Sequence, residues 1–172
     1  MPAMKGGDQW VQGVTLIELL VAMVIIAIGV LGVAGIQALS LKQARDAGQK
    51  MMALQAANDL IDRIRINQEA VYAWESSDSV TADAAVNCLI ESCSPTELAA
   101  YDLVSWRCRL GSENAICNAS YGLTATDYDQ LPNARGSVTR VVSGGSIAYT
   151  VAVQWATSDQ ADQQVSVSAR VQ

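Results

Sequence analysis

From Leu19 to Ile36 the chain carries no charged or polar side chain, and directly before this run stands Gly13-Val14-Thr15-Leu16-Ile17-Glu18. An apolar stretch of this length is a membrane-span candidate, because about 20 helical residues cross the hydrocarbon of a bilayer. A lone carboxylate at its edge is expensive: on insertion scales a charge at a helix centre costs about 2.5–3.5 kcal/mol, and less near the interface. Glu18 is therefore a functional candidate by default. The bland alternative is a carboxylate that snorkels to the interface with no further role. A secretory signal peptide fits poorly. It needs an apolar core of about 7–15 residues and a small-x-small cleavage site after it. This run is longer, Glu18 would fall inside the signal peptide's apolar core, and Val33-Ala34-Gly35 is a weak match.

The helical pattern continues past the apolar run. Ala47, Met51, Leu54, Ala57, Ile61 and Ile64 recur at steps of three and four, with Asp46, Lys50, Asp59, Asp62, Arg63 and Arg65 between them. This predicts one helix from Val14 to about Asn67, apolar all round in its first half and amphipathic in its second. The alternative is two helices hinged at Gly48. Gly29, Gly32 and Gly35 punctuate the span without strict G-x-x-x-G spacing. They read as a soft segment or as close-packing positions.

Residues Tyr72 to Asn87 are polar and weakly patterned, and read as loop. Ser94-Pro95-Thr96-Glu97 then predicts a helix start: a Ser cap, Pro in the first turn and Glu completing a capping box. Ala99, Leu103, Trp106 and Leu110 form its apolar stripe, and Gly111 should end it. Trp106 on that stripe reads as core rather than as an exposed binding aromatic. Beyond it, Ile147, Tyr149, Val151, Val153 and Trp155 alternate with smaller or polar residues, as do Val165, Val167, Ala169 and Val171. A third run, Ser137 to Val142, joins the first through Ser143-Gly144-Gly145, a hairpin signal. Period-two alternation predicts an antiparallel sheet with one buried and one wet face. The amphipathic half of the long helix would cover the buried face, giving an α+β fold.

Composition excludes much. The 172 residues carry a net charge of −6 and no His. No basic patch could track phosphates, so nucleic acid is an unsuitable partner. The commonest metal ligand and general base is missing. No P-loop, dinucleotide fingerprint, H-E-x-x-H or G-x-S-x-G occurs. Asp127 and Asp129 lack the rest of a calcium pattern and read as solvated loop. We expect no enzyme activity and no cofactor.

Cys88, Cys93, Cys108 and Cys117 lack C-x-x-C zinc spacing. An even number behind an exporting span reads as two disulfides, with three connectivities possible. Cys88–Cys93 and Cys108–Cys117 are favoured because each closes a short local loop. Reduced thiols in a cytoplasmic chain are the alternative.

The block G-V-T-L-I-E before an apolar helix resembles the class III signal peptide of type IV pilin precursors. The order of leader, long helix, connecting region and sheet resembles the whole pilin fold. One departure is Val14, where the family usually has Phe; this chain has no Phe at all. The resemblance implies cleavage after Gly13 by a prepilin peptidase, N-methylation of Val14, and pairing of Glu18 with the amino terminus of a neighbouring subunit. Gly13 suits close backbone approach by a protease. Val14 and Glu18 lie one helical turn apart, and opposite charges attract strongly in an apolar setting. The implied layout is a leader 1–13, a membrane and filament-core segment 14–36, an amphipathic half 37–70, a connecting region 71–132 and a sheet 133–172. The implied location is the inner membrane with a periplasmic head, then the pilus surface. Cation counting alone favours the opposite orientation, since Lys42, Arg45 and Lys50 follow the run while Lys5 is offset by Asp8; the motif is given precedence. V-I-I-A-I-G-V-L-G-V-A-G-I-Q, S-P-T-E-L-A-A-Y-D-L-V-S-W, L-P-N-A-R-G-S-V and Y-T-V-A-V-Q-W resemble the PilV group of minor pilins. Implied partners are other minor pilins, the major pilin, the prepilin peptidase, the inner-membrane assembly platform and the membrane. The rival readings are a minor pseudopilin of a type II secretion system and an adhesin-like tip subunit that binds through Tyr72 to Asn87.

Overall fold

The structure is a computed structural model that describes residues 13, 15–75, 86–110, 117, 131–157 and 161–171. Its elements are α1 (Leu16–Ile66), α2 (Pro95–Arg109), β1 (Arg135–Ser143), β2 (Ser146–Trp155) and β3 (Gln163–Val171). The chain divides into two units, Met1–Arg45 and Asp46–Gln172.

In the first unit, α1 opens at Thr15, whose carbonyl accepts from the amides of Glu18 (3.1 Å) and Leu19 (3.3 Å). Its apolar stretch has a mean hydropathy of 2.9 over eighteen residues, none of them buried. A Cβ added at Gly29, Gly32 or Gly35 would meet nothing within 4 Å.

In the second unit α1 continues through Gly48 without a break, so the hinged pair of helices is not formed. Its buried face is Ala53, Ala56, Ala57, Leu60, Ile61 and Ile64. This corrects the stripe read from the sequence. Ala57, Ile61 and Ile64 belong to it, and Leu54 packs at its margin. Ala47 is exposed and Met51 is 64% exposed. At 100° per residue Met51 lies roughly 150° round the helix from the centre of the buried face. Half of the face that packs is alanine, whose small side chain gives little signal in a sequence and admits neighbours close to the helix backbone.

The neighbour admitted is Trp106 of α2. Its indole Nε1 donates to the Ala56 carbonyl at 2.9 Å, and its ring packs against Gly136 of β1. α2 starts as its sequence predicts. Ser94 is the N-cap, and the reciprocal capping box with Glu97 is formed. The Ser94 amide and hydroxyl both donate to the Glu97 carboxylate, which holds that carboxyl below its ordinary range. Ala99, Leu103, Trp106 and Leu110 are all buried. The helix ends at Arg109, and Leu110 caps it in helical geometry; Gly111 lies outside the described residues.

The sheet is antiparallel in the order β1-β2-β3. Tyr149, Val151, Val153 and Trp155 are buried, as are Val165, Ala169 and Val171, and Val138 faces the same core. Ser143 pairs with Ser146 across Gly144 and Gly145, whose φ values are 57° and 81°. A type I′ hairpin turn needs both to be positive, which glycine supplies without strain. One segment expected to be loop does more. Trp74 exchanges two backbone hydrogen bonds with Val138, at 3.1 and 2.7 Å, and so pairs with the outer edge of β1.

Candidate assembly segment and the head that follows it

Gly13 lies just before α1, exposed, with nothing within 4 Å of the place a Cβ would occupy. Val14 lies outside the described residues. Glu18 stands in the first turn of α1 and is exposed, where a negative charge complements the helix dipole. Around and after it Leu16, Ile17, Leu19, Leu20 and Val21 are exposed as well. Chemically the segment offers an accessible backbone at Gly13, one carboxylate, and an apolar helix whose whole surface is uncovered within the chain.

The cysteines of the second unit are joined as Cys88–Cys93 and Cys108–Cys117, each pair with Cα atoms 5.6 Å apart. Cys108 and Cys117 form a small apolar cluster with Tyr101 and Val104, and Trp74 and Cys88 pack against it. The described residues hold no group of three His, Cys, Asp or Glu side chains suited to a metal ion.

A polar network that sequence reading missed ties the end of α1 to α2. Buried Asp102 accepts from Arg63 Nη1 at 3.0 Å on one oxygen and from the Tyr72 hydroxyl at 2.9 Å on the other. Arg63 Nε also donates to Asp59 at 3.1 Å. Asn67 Nδ2 donates to the Tyr72 hydroxyl (3.1 Å) and to the Pro95 carbonyl (2.8 Å). Burial is the main cause that pushes the Tyr72 hydroxyl far above its ordinary pKa, and the neighbouring Asp102 carboxylate adds to it. Burial raises Tyr101 too. The only hint of this network in the sequence is a carboxylate, Asp102, inside an apolar helical stripe. Its partners lie 39 and 30 residues away.

The model of the prokaryotic N-terminal methylation motif matches residues 11–34. A model described as type IV pilin Tt1218 matches residues 35–104. The two matches adjoin and cover the junction at Gly13, all of α1 and most of α2. With the long helix followed by an antiparallel sheet, a pilin-like α+β fold, they support a pilin-type role for a chain that carries an N-terminal methylation motif. Neither the curated proteins nor the solved structures contain a significant match to it. Pilins are structural subunits, and the methylation motif with its apolar helix fits membrane anchoring and processing by a prepilin peptidase.

Proposed function

We propose that the chain is a minor pilin of the PilV kind, built into a type IV pilus or its priming complex. Residues 1–13 are the leader and 14–36 the membrane and filament-core segment. Residues 37–70 are the amphipathic half of the helix, 71–132 the connecting region and 133–172 the sheet. The prepilin peptidase cuts after Gly13 and methylates Val14. Glu18 then pairs with the amino terminus of a neighbouring subunit. The head is periplasmic before assembly and reaches the cell surface in the filament, alongside the major pilin, other minor pilins and the inner-membrane platform. The carrying observation is an exposed carboxylate in the first turn of a wholly uncovered apolar helix, inside a matched methylation motif. Such a helix is stable only when lipid or other helices cover it.

Glu18→Ala tests the reading. The span becomes more apolar, so membrane insertion and cleavage should persist. Incorporation into sheared filaments should fall. Normal incorporation of the variant removes Glu18 from assembly. Deletion of the gene separates the readings: loss of surface pili supports a pilin, and loss of protein secretion with intact pili supports a pseudopilin.

A further inference from the structure

The outer edge of β1 is only partly occupied. The sheet order is β1-β2-β3, so β2 covers one side of β1 alone. Along an antiparallel strand, successive residues turn their backbone N–H and C=O to opposite neighbours. Val138 gives its pair to Trp74 on the outer side. Arg140 and Val142, at even steps from Val138, turn their backbone groups the same way. Among the described residues nothing bonds those groups. Sheet edges are ordinarily blunted by charge, proline or a bulge. Here Val141 is 54% exposed and Val142 57%, and the turn beyond them is Ser143-Gly144-Gly145-Ser146. β3, the other outer strand, exposes no large hydrophobic side chain.

The charge on this stretch narrows what can pair with it. Arg140 stands opposite Tyr149 on the Val138 face of the sheet, and its Nε is buried without a hydrogen-bond partner. It joins no ion pair among the described residues. Two carboxylates stand near it. Glu69 precedes Ala70, whose carbonyl accepts from the Tyr149 hydroxyl at 3.5 Å, and Glu75 follows Trp74. Both are exposed to water, and neither pairs with Arg140. Arg170, opposite Ala148, is exposed on the other face. A cation already stripped of part of its water gains more from a carboxylate than a fully hydrated one does. We propose that this edge accepts an extended segment of another protein as an added antiparallel strand, and that the segment reads aliphatic, aliphatic, carboxylate. The first aliphatic lies opposite Val142, the second opposite Val141 and the carboxylate opposite Arg140. The Trp74 bridge stops the added strand, so the contact is short and weak. Among the described residues the chain's own runs of this kind are Leu16-Ile17-Glu18, Leu60-Ile61-Asp62 and Leu89-Ile90-Glu91. The first two are helical and the third lies in the turn closed by Cys88–Cys93, so a second copy does not supply the strand. The inference rests on the fold of the head and not on the pilin reading.

The probe is the peptide acetyl-Ser-Thr-Ile-Val-Glu-Thr-Ser-amide, added to the isotope-labelled full chain in detergent micelles. At millimolar concentration it should shift the backbone amide signals of Arg140, Val141 and Val142. Replacing the peptide's Glu by Gln should weaken binding about tenfold, because the charge-assisted pair is lost. Arg140→Gln in the protein should remove that difference, so that the two peptides bind alike. Unchanged signals from Trp106 and Val153 report that this variant keeps its fold, and the peptide series stands without it. N-methylation of the peptide's Ile should abolish binding, since the donor to the Val142 carbonyl is then missing. Any of four results overturns the proposal: no shift at millimolar peptide, shifts confined to other surfaces, equal binding of the Glu and Gln peptides to the unsubstituted chain, or binding indifferent to N-methylation.

Discussion

Gly136 lies so close beneath the Trp106 indole that a Cβ at this position would fall 2.5 Å from Cζ3, nearer still to Cη2, and 2.9 Å from Leu110 Cδ1. The strand backbone does not require glycine here, because positive φ is confined to Gly144 and Gly145 among the described glycines. Space requires it. Gly136→Ala should destabilise the head by about 1–3 kcal/mol through overpacking. Urea unfolding of the head measures it, and an unchanged midpoint would show that Trp106 can move aside freely.

Asp102 holds Arg63 and Tyr72 at once, so its removal leaves two polar groups short of a partner. Asp102→Ala should cost about 2–4 kcal/mol, somewhat below the roughly 3–5 kcal/mol for breaking a fully buried ion pair, because the Arg63 side chain is 29% exposed. Tyr72→Phe should cost about 1 kcal/mol, the size of one net hydrogen bond. A double-mutant cycle at these positions should show coupling; additive effects would mean that the two bonds act independently.

Alkaline conditions should weaken the head. In the folded state burial keeps the Tyr72 and Tyr101 hydroxyls protonated above their ordinary value of 10.0. Above about pH 10 the unfolded chain releases these protons first, so it binds fewer than the folded one and stability falls with rising pH. The contribution is whole below pH 10 and is lost as pH climbs through the folded values. Denaturation midpoints at pH 8, 10 and 11 should show the decline, and Tyr72→Phe should flatten it. Parallel declines in both proteins would place the effect elsewhere.

The two disulfides should differ in weight. Each closes a short loop, with separations of 5 and 9 residues. The chain-entropy model gives such loops about 2–3 kcal/mol, more for the longer. Cys108 and Cys117 are also fully buried, unlike Cys88. Replacing both Cys108 and Cys117 by Ala should therefore destabilise more than replacing both Cys88 and Cys93. Non-reducing peptide mapping of periplasmic protein checks the pairing, and four free thiols there would contradict the export topology.

Processing has its own readout. Gly13→Arg should block cleavage, since a bulky side chain prevents close approach to the backbone. Amino-terminal mass spectrometry should find methylated Val14 at the start of the mature chain and the uncut precursor for the variant. A mature start elsewhere refutes the site.

Local signals carried most of the fold. The strands are legible because each alternate residue from Tyr149 to Trp155 is buried, and period-two patterning reports burial on one face directly. α2 is legible because its cap chemistry lies within four residues. The packing face of α1 was partly illegible because alanine looks neutral in a sequence, whereas Met51 looks like core and is exposed. The Trp74 pairing and the Asp102 network escaped notice for another reason: they join residues far apart in the chain, and no local pattern encodes them. The chemistry proposed for the assembly segment is contiguous from Gly13 to Glu18, so a local motif can carry it.

The alanine face of α1 has a consequence for how such a chain can diversify. Any larger residue at Ala53 or Ala57 would lever the helix off its neighbours, since both are completely enclosed. The opposite side, where Met51 stands, touches none of that core and can change without disturbing it. The residues that fold the head thus lie on one side of the helix, and a lineage can revise the exposed side while leaving the means by which the chain folds untouched.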